Sequence, residues 1–315
     1  MQASVFLVSY PSTASGLPSG VRDAQRAMQQ WLLLCDHIVR AGGVPLVLDP
    51  PTTAASTDGH GVSPDVLLAT SRLGAIFVGA RPGGDSSAVF LRAPGSVPAA
   101  ADASGQADSL TSQLRRYGLK VQTAQHRWGG QADVLGLPRN RYILTQGTCS
   151  DPLASDEVAA LLPMGAHSLR VDIDRDSGLS AFNVLTTRAG ATMVLVSTQA
   201  LKTTSMAEIS TFIGNKCELI SLSAEDSAIG AGAMLCVHGN VFVPPGVSTT
   251  LRGHLWRFGF QVVDVDVSEL GGAAIGLGPR AFALPWSQCM LDDALPTYAT
   301  RRDELYRRLD EYAAK

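Results

Sequence analysis

Apolar positions along this chain follow two rhythms, one helical and one extended, and the alternation between them repeats. Trp31 to Arg40 is amphipathic at helical spacing, Gly42 and Gly43 stop it, and Val44-Pro-Leu-Val-Leu48 runs on as an extended segment. The same order returns four times. Ser109 to Tyr117 precedes Gly118 and the alternating Leu119-Lys-Val-Gln-Thr123. Ser155 to Leu162 leads through Pro163 and Gly165 into Ser168-Leu-Arg-Val-Asp172. Met206 to Ile213 stops at Gly214 before Cys217-Glu-Leu-Ile-Ser-Leu222, and Thr249 to Phe258 stops at Gly259 before Phe260-Gln-Val-Val-Asp-Val265. A helix ending at glycine is ordinary, because a residue without Cβ takes the left-handed cap at little cost. Five such endings in one chain point to a repeated unit.

Further β-type runs lie between these segments: Leu73 to Val78, Tyr142 to Thr145, Thr192 to Ser197, Met234 to Val237 with Asn240 to Val243, and Ala281 to Pro285. Each unit therefore reads as strands, helix, strand. The glycine stops at 118, 165, 214 and 259 are 45 to 49 residues apart, the spacing of a closed repeat architecture. The competing reading is an unrelated α/β sheet built by simple βα alternation. The longer first gap holds the Ala/Ser/Pro/Gly-rich stretch Ala93 to Asp108, which reads as a loop. From Asp292 to Lys315 the composition changes to an amphipathic, charge-laced helix, with Tyr298, Leu305, Leu309 and Tyr312 on one face. That face reads either as packed on its own domain or as docking a partner.

Composition narrows the class. At 315 residues, 45% hydrophobic and 17% charged, the chain can bury a large core as one repeat-built domain. No apolar run approaches the roughly 18 residues that span a bilayer, and Ser4 to Ser9 reads as a core strand and not as a targeting segment. A formal net charge of −3 argues against a strongly basic nucleic-acid surface while allowing a local patch. The five cysteines (35, 149, 217, 236, 289) are scattered, without a CxxC, as expected of buried thiols in a reducing compartment. No cofactor is implied. The histidines are too dispersed for a metal site, the glycine-rich runs at 230–234 and 271–278 lack the residues of a phosphate loop, and Asp172, Asp174 and Asp176 lack the pattern of a calcium loop.

The most specific segments are Trp128-Gly-Gly-Gln-Ala-Asp133, the strand and turn in Arg141-Tyr-Ile-Leu-Thr-Gln-Gly-Thr-Cys-Ser150, and Ser268-Glu-Leu270 followed by Gly271 to Gly278 and Pro279-Arg280. With the weaker Arg26 to Trp31 and Ala41 to Pro50, they resemble the amidinotransferase and dimethylarginine-hydrolase superfamily, the penteins, along nearly the whole chain. The resemblance implies a five-bladed pseudosymmetric α/β propeller of ββαβ units. It also implies an ancestry in C–N cleavage of guanidines.

That chemistry needs a thiolate nucleophile, a His acid/base near neutral pH, and carboxylates that clamp a planar cation. On the family's pattern the nucleophile position is Ala281 and the His position falls on Ser177 or Gly178. Two acid positions are Gly129 and Ala80, and the anchor for the substrate carboxylate is Cys149. Asp133 alone of the clamp remains, as a relic pocket. A methyl group cannot attack, so the resemblance implies a catalytically inactive member.

Among such members the chain resembles the dimethylarginine-hydrolase-like core subunits of the kinetoplastid RNA-editing substrate-binding complex. This implies a mitochondrial location, protein subunits of that complex as partners, and guide RNA and messenger RNA handled directly or through them. No presequence is visible in the chain to support that location. Arg115, Arg116, Arg127, Trp128, Arg139 and Arg141 form a candidate RNA or partner surface, and Leu305, Leu309 and Tyr312 a candidate partner helix. Two other classes stay open: a guanidine-modifying hydrolase with an altered nucleophile, and a small-ligand sensor using the pocket around Asp133.

Overall fold

The computed structural model describes residues 5–9, 23–48, 76–78, 88–91, 115, 120–123, 125–126, 133–147, 150–162, 164–174, 181–204, 206–270, 282–284 and 297–313. Among the described residues, fifteen strands form five three-stranded sheets, all of one pattern. In each, a first strand turns back antiparallel into a second, and a third lies parallel to the second.

The sheets are β3 (Ile76–Val78), β4 (Ala88–Leu91), β5 (Lys120–Thr123); β6 (Val134–Leu137), β7 (Arg141–Gly147), β8 (His167–Ile173); β9 (Phe182–Thr186), β10 (Thr192–Val196), β11 (Cys217–Ser221); and β12 (Leu235–Val237), β13 (Asn240–Val243), β14 (Gln261–Asp264). The fifth joins the two ends of the chain. Here β15 (Phe282–Leu284) pairs antiparallel with β1 (Val5–Ser9), which pairs parallel with β2 (Val44–Leu48).

A parallel step needs a crossover, and helices supply it: α1 (Ala24–Arg40), α2 (Pro152–Leu161), α3 (Met206–Ile213) and α5 (Thr249–Phe258). A short α4 (Ala224–Ala228) precedes β12, and α6 (Tyr298–Ala313) follows the last sheet. Side-chain caps start most of them: Asp23 for α1, Asp151 with Pro152 at the first position of α2, Ser223 for α4 and Ser248 for α5. α5 ends at Gly259, whose φ of 100° no other residue adopts cheaply.

Packing fixes the order of the units. Leu251 and Leu255 of α5 lie among Val241 and Val243 of their own sheet and Leu185, Met193 and Leu195 of the preceding one. Ile209 and Ile213 of α3 bridge Val194 and Val196 to Leu135, Ile143 and Val171. Trp31, Leu32 and Ile38 of α1 bridge Phe6 and Val8 to Leu235, Val237 and Phe242. These three helices each fill the seam between their own sheet and the one before, which links four consecutive units in order. The middle strand β10 is buried along its whole length because helices cover both of its faces. First strands touch across units, β6 against β9 and β9 against β12.

The C-terminal helix is a brace. Tyr298 and Leu305 are fully buried in the α1 cluster, with Leu309 packed against it, and the Tyr298 ring meets Trp31 edge-on at 6.0 Å. In the sequence Leu305 is a candidate for a partner-facing stripe, beside the alternative of packing on its own domain. It is covered by the chain's own α1, and the side chain of Tyr312 lies outside the described residues. At the centre of the brace, Asp36 of α1 accepts from Tyr298 Oη at 2.9 Å, Tyr306 Oη at 3.0 Å and Arg302 Nε at 3.3 Å. Partial burial pushes the Asp36 carboxyl upward. The hydrogen bonds from Arg302, Tyr298 and Tyr306 and the Arg302 charge outweigh it, so the net shift is downward.

Candidate functional site

Asp133 stands immediately before β6. The β6–β7 register pairs Val134 with Leu144, which sets Asp133 opposite Thr145. Beyond Thr145 the chain leaves β7 at Gly147, whose N–H donates to the Ser150 carbonyl at 3.0 Å, and so folds Ser150 back towards the strand. This turn requires glycine: φ is 146°, and a Cβ there would lie 2.4 Å from the Ile173 carbonyl oxygen of β8. Thr145 Oγ1 then donates to Asp133 Oδ1 at 2.6 Å, and Ser150 Oγ donates to Oδ2.

Asp133 and Thr145 are 1% exposed and Ser150 2%, so the carboxylate and both hydroxyls form one buried cluster. Burial of a carboxylate is tolerable when its oxygens accept hydrogen bonds. A bidentate guanidinium would have to share or displace both. Gln146, on the opposite face of β7, donates to Asp172 Oδ1 at 2.8 Å, and Thr203 fills Oδ2 at 3.1 Å. Asp172, expected at a solvated edge, is thus tied into the join between two units.

Ala80, Gly129, Cys149, Ser177, Gly178 and Ala281 lie outside the described residues, as do Arg116, Arg127 and Trp128. Arg115 is exposed. Arg139 is exposed at the β6–β7 turn, in the left-handed region with φ 64°. Arg141 does not belong with them as open surface. Its Nη1 donates to the Phe212 and Ile213 carbonyls at 2.6 and 3.1 Å, capping the end of α3, and its guanidinium lies over the Phe212 ring. Nearby, Gln125 and His126 donate their backbone N–H groups to Glu157 at 2.9 and 3.0 Å, and the His126 ring bonds the same carboxylate.

The described thiols are poor nucleophiles. Burial pushes Cys35 well up, with the Asp36 charge adding to it. Burial raises Cys217 against the opposing charge of Arg141, and raises Cys236 against its backbone hydrogen bonds. Among the described residues, no group of three His, Cys, Asp or Glu is placed to hold a metal ion. No described helix is long and apolar enough to cross a membrane.

No protein-family model matches the chain, and no curated protein matches it in sequence. Solved structures do match in shape. The N-terminal domain of ArgZ, an arginine dihydrolase of the ornithine–ammonia cycle in cyanobacteria, superposes with a TM-score of 0.67 at 16% identity, over 89% of this chain and 97% of that one. DDAH from Pseudomonas aeruginosa, complexed with citrulline, gives 0.63 at 15% identity, over 90% and 100%. AgrE with ornithine and NAD+ gives 0.67 at 18%, over 94% of this chain and 41% of that one.

The fold is that of the penteins. At these identities the likeness carries the architecture, and the side chains of the site are this chain's own. In the pentein frame, Asp133 opens one unit at the end where chains cross from sheet to sheet. At the same end of the next units, Asn183 Nδ2 donates to the Met234 carbonyl at 2.8 Å, and Ser197 meets Ser227 at 3.1 Å.

The residues that sequence reasoning missed are Thr145, Ser150 and Asp36. A signal for Asp36 was present: Tyr298, Arg302 and Tyr306 at four-residue steps put two hydroxyls and a guanidinium on one helical face, a set that calls for a carboxylate. Thr145 and Ser150 carried no comparable signal.

Proposed function

We propose that this chain is a catalytically inactive, dimethylarginine-hydrolase-like scaffold subunit of a mitochondrial complex that handles guide RNA and messenger RNA, resembling the fifth core subunit of the kinetoplastid RNA-editing substrate-binding complex. The observation that carries the loss of catalysis is the state of Asp133. The acid kept from the guanidinium clamp is buried, with both oxygens engaged by Thr145 and Ser150. It serves as a strut between strand and turn.

The sequence supports the same reading, with Ala281 at the nucleophile position, Ser177 or Gly178 at that of the base, Gly129 and Ala80 for acids, and Cys149 for the carboxylate anchor. The upward-shifted thiols of Cys35, Cys217 and Cys236 are no substitutes for a nucleophile. The scaffold role and its place rest on resemblance. Affinity purification of the tagged chain from kinetoplastid mitochondria, with mass spectrometry and sequencing of bound RNA, tests them. The expected result is a stable set of subunits with guide RNA. Recovery of the chain outside mitochondria, or without RNA-handling subunits at physiological salt, would overturn the assignment.

A further inference from the structure

The topology gives the propeller two unlike ends. At one lie the hairpin turns, the C-termini of the crossover helices and the starts of the third strands. At the other lie the helix N-termini and the crossings between units. Contacts between units confirm the common orientation. Arg188, on the β9–β10 turn, donates to the His238 carbonyl on the β12–β13 turn at 2.9 Å, and Arg141 reaches the end of α3. A Cβ on Gly42, after α1, would meet His238 at 3.6 Å. At the opposite end, Arg26 at the start of α1 meets Asp266, beyond β14, at 3.3 Å.

Charge follows this division. The hairpin end carries exposed Arg40, Arg139, Arg188, Lys216 and Arg257, none of them in an ion pair among the described residues. Outside α6, its described acids are Glu218 and Asp36, and Asp36 is already matched by Arg302. The crossing end carries Asp23, Asp151, Asp172, Asp174, Asp264 and Asp266; of its cations Arg26 and Arg252 are paired, and Lys202 is exposed beside Asp172.

Helix dipoles account for part of this pattern. Arg40, Lys216 and Arg257 stand at or just past helix C-termini, where a cation is favoured. Arg139 and Arg188 occupy turn tips that no helix end explains. A full positive charge also exceeds the half charge it offsets, leaving the end net positive. In the last turn of α5, next to Arg257, Trp256 is 65% exposed, a large aromatic surface beside unpaired cations.

We propose that the hairpin end binds single-stranded RNA directly, the cations contacting phosphates and Trp256 stacking on a base. The inference deepens the reading of the chain as an RNA-handling subunit and rests on it. The complementarity is to a polyanion, and the exposed indole favours one that offers flat bases over an acidic polypeptide.

The test is fluorescence anisotropy of the full chain with a labelled oligouridylate of about 30 nucleotides over a range of salt, with poly-L-glutamate as competitor. The variants are Arg139→Asn/Lys216→Glu/Arg257→Glu, which spares the Arg188 bond between turns and puts Asn where φ is positive, and Trp256→Ala. Melting curves confirm that both are folded. The triple variant should bind about tenfold or more weakly, with a salt slope flattened by roughly 2, since each phosphate contact contributes about 0.7. Trp256→Ala should weaken binding and leave the slope unchanged. No binding by the intact chain at low salt, or equal binding by the folded triple variant, would overturn the proposal. So would displacement of RNA by poly-L-glutamate at equal charge with no effect of Trp256→Ala, which would mark the face as a dock for an acidic protein. The assay needs no partner, so RNA binding would stand even if purification placed the chain in a different complex.

Discussion

On the proposed reading, Asp133 is a residue that persists while its task changes. The family resemblance reads its position before an apolar strand as the relic of a cation clamp. Its partners were not legible, because Thr145 becomes its neighbour only through the β6–β7 register and Ser150 only through the turn at Gly147. Removing the carboxylate leaves two buried hydroxyls without their acceptor, at about 1–3 kcal/mol for each group left unsatisfied. Asp133→Ala should therefore lower stability by about 2–4 kcal/mol, read as a lower urea midpoint at unchanged slope. A change within about 0.5 kcal/mol would mean that the carboxylate is not holding the cluster together.

Among the elements, helices were the more legible. α3 and α5 have the expected bounds, since apolar spacing and a following glycine marked both ends. α1 begins at Ala24, seven residues before the expected start, because Ala24 to Gln30 is mostly polar and, among its described side chains, Ala27, Met28 and Gln30 turn inward. Gly165 proved not to cap α2, which ends at Leu161 with an extended cap residue at Leu162. The first strands β6 and β9 and the middle strand β4 are not among the extended runs the sequence marks. Each is four or five residues long, as in Val-Leu-Gly-Leu of β6, and gains definition by pairing with its neighbours in the sheet.

The sequence leaves the apolar face of the last helix open between packing on its own domain and docking a partner. Leu305 packs on α1, so Leu305→Ala should cost about 2–5 kcal/mol, the range for a core leucine, and melt the protein earlier. An unchanged melting temperature would show that α6 is dispensable to the fold. Asp36 adds a pH dependence. Its carboxyl sits below the ordinary range when folded, so its contribution is fully present above about pH 4 and is lost as pH falls through the folded value. Asp36→Asn should flatten the acid limb of stability against pH. An acid limb of unchanged slope would mean that the Tyr298–Arg302–Tyr306 set does not depend on the charge.

At the scale of the whole molecule, the five-unit plan was readable from the spacing of glycine stops, since each unit must end its helix and restart a strand in the same way. The joining of β15 with β1 in one sheet, and the sorting of charge between the two ends, were not readable. Arg40, Arg139, Arg188, Lys216 and Arg257 are scattered in sequence and lie at one end because the described hairpins and crossover-helix C-termini face the same way. A net charge of −3 conceals that division. The central claim is that the pentein frame has been kept without its guanidine chemistry. Its most direct test is incubation of the intact chain, and of Ala281→Cys, at high concentration with arginine, dimethylarginine and agmatine, following the citrulline or carbamoyl product. Neither should turn over substrate above the buffer blank, because a thiol without a base and without free acids lacks both activation and positioning, each worth orders of magnitude in rate. Turnover by the intact chain that disappears in a folded Asp133 variant, or hydrolysis by Ala281→Cys alone, would contradict the account.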